Sequence, residues 1–192
     1  MKVLIGCEES QTICAAFRKV GIPAISCDLQ PTRGNPKWHI QDDIVKVLDD
    51  EYKWDLVILH PDCTALALSG NRHYGNNKPR HNERLEAIEW TTQLWEQCKS
   101  RSKRAALENP ASVIFQYLGN KVQYIQPWMF GHGETKKTGL ALHNLPNLTP
   151  TNIVEGREPK VWLMGGKNRK RDRSVTYQGI ADAIVDQWGK LL

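Results

Sequence analysis

The sequence predicts an α/β fold, a mostly parallel sheet with helices on both faces. Two observations predict it. Short apolar runs alternate along the chain with stretches of helical periodicity, the pattern of strands joined by covering helices. Polar residues of chemical interest then recur just past those runs, at Cys7-Glu8-Glu9, Asp28, Pro61-Asp62-Cys63 and Glu108-Asn109. In sheets of this kind ligands bind beyond the carboxyl ends of the strands.

The elements follow in order. Lys2 to Cys7 reads as a buried strand ending in a polar turn. Ser10 to Val20 reads as a helix with Ser10 as N-cap and Gly21 as stop. Ala24 to Leu29 is a second strand, and Trp54 to His60 a third, stopped by Pro61. Glu83 to Cys98 is the strongest helix, with Leu85, Ile88, Thr92, Trp95 and Cys98 on one stripe. Arg104 to Glu108 reads as a short strand stopped by Asn109-Pro110, and Thr138 to His143 as another. Tyr177 to Leu191 closes the chain as a helix with Ile180, Ile184, Trp188 and Leu191 on its apolar face.

The chain has 192 residues, enough for one sizeable α/β core and too few for two comfortable domains. No apolar run approaches the ~18 residues of a membrane helix, and the N-terminus turns polar at Glu8-Glu9, a poor signal peptide. A cytoplasmic location is the expectation. Five scattered cysteines without a C-x-x-C pair argue against a disulfide framework, and the histidines add no spacing suited to a metal. The net charge is +5, concentrated in Lys167 to Arg173. That stretch fits either a polyanion contact through Arg169, Lys170 and Arg171 or a solvated loop.

Cys63 follows a strand and a proline, where a thiol can reach a cleft. Taken alone it fits a buried structural thiol better. Glu108 also ends a strand, and alone it serves equally well as a cap for a following helix. Together they suggest a thiol beside a proton-donating carboxyl group. His60 can orient the Cys63 loop, touch a cofactor or be purely structural. His132, between two glycines, fits an exposed turn better than a substrate contact, and Trp128 fits packing better than base stacking.

The order of these motifs resembles the cytosine-C5 DNA methyltransferase family. Val3 to Cys7, with Gly6 and Cys7, is similar to the family's first strand and cofactor loop. Asp28, with Leu29 after it, matches the acidic residue at the ribose, and Asp43-Ile44 the pair at the adenine. Trp54 to Gly70, containing Pro61 and Cys63, looks like the nucleophile loop, and Glu108-Asn109 the family's Glu-Asn pair. Thr135 to Leu140, with Lys136 and Lys137, is similar to a basic segment entering a late strand. The resemblance runs from about residue 2 to 190, and it extends to small methyltransferase-like proteins carried by bacteriophages.

The resemblance implies a Rossmann-like S-adenosylmethionine-dependent methyltransferase fold. It also implies S-adenosylmethionine as cofactor, nucleic acid (DNA foremost) as partner, and Cys63, Glu108 and Asn109 as catalytic residues. For a phage-encoded protein the location becomes the host cytoplasm. Asp62 stands where the family has proline, Glu8 and Glu9 replace a glycine-richer turn, and little chain separates Leu142 from the closing basic segment. A single catalytic domain over 1–192 without a target-recognition domain is therefore expected. Two alternatives stay open: a binder of nucleic acid or nucleotide that has lost turnover, and an enzyme that modifies free pyrimidine nucleotides.

Overall fold

The structure, a computed structural model, describes residues 2–49, 53–119, 121–163, 165–166 and 169–192. Seven strands form one sheet in the order β3-β2-β1-β4-β5-β7-β6. They are β1 Val3–Gly6, β2 Ala24–Asp28, β3 His39–Gln41, β4 Leu56–Leu59, β5 Ala105–Pro110, β6 Val122–Ile125 and β7 Thr138–His143. The first five run parallel, while β7 is antiparallel to both β5 and β6. The helices are α1 Thr12–Lys19, α2 Ile44–Asp49, α3 Asn71–Tyr74, α4 His81–Arg101, α5 Lys160–Leu163, α6 Arg169–Ser174 and α7 Gln178–Trp188.

Strand residues alternate between two cores. Val3, Ile5, Leu56 and Ile58 pack with Ile13, Phe17, Ile180, Ile184 and Trp188, beneath α1 and α7. Leu4, Val57, Leu59 and Leu107 pack on the other face with Leu48, Leu94, Trp95 and Cys98, beneath α2 and α4. The period of two along each strand turns successive side chains to opposite faces, so one sheet needs both layers. Burial of the large side chains, at roughly 25 cal/mol per Å² of apolar surface, is the main driving term.

Four expectations change. Ser10 does not cap α1 by itself. The residue before the helix is Gln11, at φ 59, and the carboxylate of Glu8 accepts from Ile13 N at 2.7 Å and Cys14 N at 3.3 Å. The stripe on α4 is rotated: Leu85 is 50% exposed, and Arg84 is buried instead. β5 continues through Asn109 and Pro110, because β7 pairs it up to Pro110↔Thr138. Proline is tolerated there since β4 pairing already ends at Leu59↔Leu107. The tract expected as polyanion contact or solvated loop is helix α6 from Arg169 onward, while Lys167 and Asn168 lie outside the described residues.

Candidate active site

Strand order reverses between β1 and β4, so their carboxyl ends border a crevice. Glycine is required at Gly6 because a Cβ there would run into Ile44 and Leu59. The chain then turns sharply at Cys7, φ 60. Across the crevice His60 N donates to Gly6 O at 2.9 Å, fixing the start of the Pro61-Asp62-Cys63 loop.

That loop is held from three sides. Asn109 Nδ2 donates to Pro61 O at 3.0 Å. Arg84, 6% exposed, donates from Nε to Ala65 O at 2.7 Å, from Nη1 to Asn71 Oδ1 at 2.8 Å and from Nη2 to Ala67 O at 3.3 Å. Asp62 Oδ1 accepts from Thr64 N at 2.9 Å, and its Oδ2 pairs with Lys170 Nζ at 2.9 Å. Arg84 escaped the sequence reading because a charged residue inside a helical stripe looks solvent-facing.

The loop leaves Cys63 half-buried, while Cys14, Cys27 and Cys98 are buried. Burial pushes the Cys63 thiol up, and the charges of Glu108 and Asp62 add to that, with Lys136 pulling the other way. Cys14, Cys27 and Cys98 are pushed up to about 12, chiefly by burial. Cys7 rises further still from burial and the surrounding acids.

Strand alternation brings Glu108 to the same crevice. Leu59 and Leu107 are register partners on one face, so His60 and Glu108, one residue on, turn together to the other. His60 Nδ1 lies 3.1 Å from Glu108 Oε2. Burial would raise Glu108, but the His60 hydrogen bond and the charges of His60 and Lys136 hold it below the ordinary carboxylate range. Lys136 reaches this edge because β7 runs antiparallel and so begins where the parallel strands end. Its Nζ donates to Arg173 O at 2.9 Å.

The first loop carries two acids with different partners. Glu8 turns inward to cap α1, and burial pushes it up to about 7. Glu9 pairs with Arg33 at 2.6 Å and Arg171 at 3.0 Å, and these arginines draw it down against the effect of burial. Neither carboxylate stands free in the crevice. α6 thus lies tied to the β1 loop through Arg171 and to the β4 loop through Lys170. Arg169 and Lys137 are exposed, and Lys137 Nζ sits 4.4 Å from the Tyr124 ring centre.

Asp28 is half-buried, raised mainly by burial, and its Oδ1 accepts from Gln30 N at 2.8 Å. Leu29 beside it is 68% exposed. Asp43 Oδ1 accepts from Val45 N at 2.9 Å at the start of α2, and Ile44 is buried against Gly6. Two other residues take structural partners. His132 Nε2 accepts from Gly179 N at 3.0 Å, and the Arg157 guanidinium covers the Trp128 ring at 3.9 Å. Among the described residues there is no cluster of acids, histidines and cysteines able to hold a metal, and no helix long and apolar enough to cross a membrane.

A sheet of order 3-2-1-4-5-7-6 with β7 reversed is the fold of S-adenosylmethionine-dependent methyltransferases. Among the solved structures that share it are two methyltransferases. One is a candidate DNA modification methyltransferase encoded within an E. coli prophage, at TM-score 0.52 and 9% identity, covering 81% of this chain and 52% of that one. The other is the Entamoeba histolytica methyltransferase EhMeth, at TM-score 0.50 and 13% identity, covering 80% of this chain and 57% of that one. The S. pombe Dnmt2 methyltransferase superposes at TM-score 0.48 and 16% identity, over 77% of this chain and 50% of its own. The chain spans a little over half the length of the first two. No family model and no curated protein matches it in sequence.

Proposed function

We propose that the protein transfers a methyl group from S-adenosylmethionine to C5 of cytosine in nucleic acid, DNA foremost, through a covalent adduct of Cys63. The observation that carries this reading is the meeting of Cys63 and Glu108 at the carboxyl ends of the central strands, close enough that the Glu108 charge acts on the Cys63 thiol.

The residues present fit the cofactor. Glu8 and Glu9 are engaged elsewhere and leave its carboxylate unopposed. Asp28 offers a half-buried carboxylate for ribose hydroxyls, and exposed Leu29 an apolar cover for a ring. Asp43, the Gly6-Cys7 turn and Pro61 complete the lining, with Ile44 supporting Gly6 from below. When bound, S-adenosylmethionine supplies an electrophilic methyl group.

Cytosine C5 is a poor nucleophile, and Cys63 corrects that. The Cys63 thiolate adds to C6 while the Glu108 carboxylate holds, by a hydrogen bond, a proton taken up on N3 from solvent, so electron density moves onto C5. After the methyl group is in place, loss of the C5 proton to a base breaks the bond between C6 and Cys63 sulfur and returns the thiolate. Lys136 lowers the cost of the thiolate. Asn109 holds the loop through Pro61 O. Exposed Lys137 and Arg169 face the phosphates of the substrate, and Lys170 and Arg171 join them on release from Asp62 and Glu9, an attraction screened by salt. A flipped base costs a few kcal/mol to unstack, which such contacts offset.

The raised Cys63 thiol favours a second reading, a binder of the same fold that has lost turnover. A tritiated-methyl transfer assay against cytosine-containing DNA, RNA and dCMP separates the two. Label in DNA is the expected result. Calorimetric cofactor binding without transfer to any acceptor would favour the binder, and no cofactor binding at all would remove both.

A further inference from the structure

We infer that His60 is a positioning residue for Glu108, holding one carboxylate oxygen through Nδ1–H so that the other faces the substrate base. The inference rests on the methyl-transfer reading for its consequence and on the geometry of the dyad for its substance.

A carboxylate only accepts, so the 3.1 Å contact between His60 Nδ1 and Glu108 Oε2 requires the proton on Nδ1. That choice leaves Nε2 on the far side of the ring, where it is buried and has no hydrogen-bond partner among the described residues. A purely structural histidine would satisfy both nitrogens, because an orphaned buried polar atom costs about 1–3 kcal/mol. Beside the pair lies a cavity of about 20 Å³, lined by His60, Glu108, Lys136, Thr138 and Tyr177 above a floor of isoleucines. It has room for one water.

The floor matters to the strength of the contact. Ile13, Ile58, Ile180 and Ile184 give the dyad an apolar underside, and a hydrogen bond in such a low-dielectric setting is stronger than one in water. The groups facing the pair are Lys136 from the entry to β7, Cys63 from the β4 loop and Glu8 from the β1 loop. Tyr177 lines the cavity from the start of α7. With His60 gone, Lys136 alone would oppose the burial of Glu108, and its carboxyl group would titrate at higher pH. Its rotamer would also be released.

Three variants test this. His60→Ala removes the donor, His60→Asn keeps an amide N–H near the Nδ1 position, and Glu108→Gln assigns the carboxyl signal. Carbon-13 NMR of carboxyl-labelled glutamate should show Glu108 titrating higher in His60→Ala and close to wild type in His60→Asn. Methyl transfer should fall about 10- to 100-fold in kcat for His60→Ala, the usual scale for losing an orienting partner. KM for S-adenosylmethionine should be unchanged, and His60→Asn should restore most of the rate. A Glu108 titration unmoved in His60→Ala, or moved equally in His60→Asn, would overturn the inference. If the wild type transfers no methyl group, the function fails and the carboxyl titration still decides the role of His60.

Discussion

At the start of α1 the Glu8 carboxyl group accepts from two backbone amides, yet burial pushes it up to about 7. Desolvation therefore outweighs the cap and the attraction of His60. A carboxyl group raised on folding binds its proton more tightly in the native state. Its contribution is fully present below the ordinary 4.5 and is lost as the pH rises through about 7. Over that window the native protein should lose roughly 2–3 kcal/mol relative to Glu8→Gln, since each pKa unit is worth about 1.4 kcal/mol. Urea unfolding of both proteins at pH 5 and pH 8 measures the change, and a constant gap would contradict it. Arg84 makes a second prediction. Its guanidinium serves two loop carbonyls and Asn71 from a buried position, and lysine cannot span that fork. Arg84→Lys should cost about 2–4 kcal/mol, and proteolysis should show early cleavage between Cys63 and Gly75. An unchanged unfolding midpoint would show the fork to be dispensable.

Among the elements, α7 depends on a close approach rather than on its apolar face alone. A Cβ on Gly179 would collide with Phe130 O, and His132 accepts from Gly179 N at the same place. Gly179→Ala should push α7 off the 130–132 turn and cost about 1–3 kcal/mol, as overpacking does. Thermal unfolding checks this, and a midpoint equal to wild type would refute it. The face of α7 was legible in the sequence because Ile180, Ile184 and Trp188 recur at helical spacing and are buried. β7 was legible over its full span, as a short apolar run between polar turns. β3 and β6 were not: one is three residues long and mostly polar, the other lies at the sheet edge and buries only its last residue, Ile125. On α4 the periodicity misled, because Arg84 buries its stem and head where the pattern put Leu85 on the inside. The His60–Glu108 contact follows from the period of two, counted from Ile58 and Ala106, together with the β4–β5 register, which a sequence does not supply.

On the scale of the whole molecule, the parallel strands and the reversed β7 deliver their functional residues to one edge. The positive residues of α6 are partly engaged there, Lys170 with Asp62 and Arg171 with Glu9. The central chemical question is whether that edge makes Cys63 a nucleophile. A thiol that adds to C6 stays attached when the C5 proton cannot be removed. DNA carrying 5-fluorocytosine, incubated with the protein and S-adenosylmethionine, should therefore yield a denaturation-resistant adduct that maps to Cys63. Cys63→Ser should give none, Glu108→Gln should form it slowly, and Cys98→Ser should match wild type. Wild-type methyl transfer by Cys63→Ser, or an adduct on another cysteine, would contradict the mechanism.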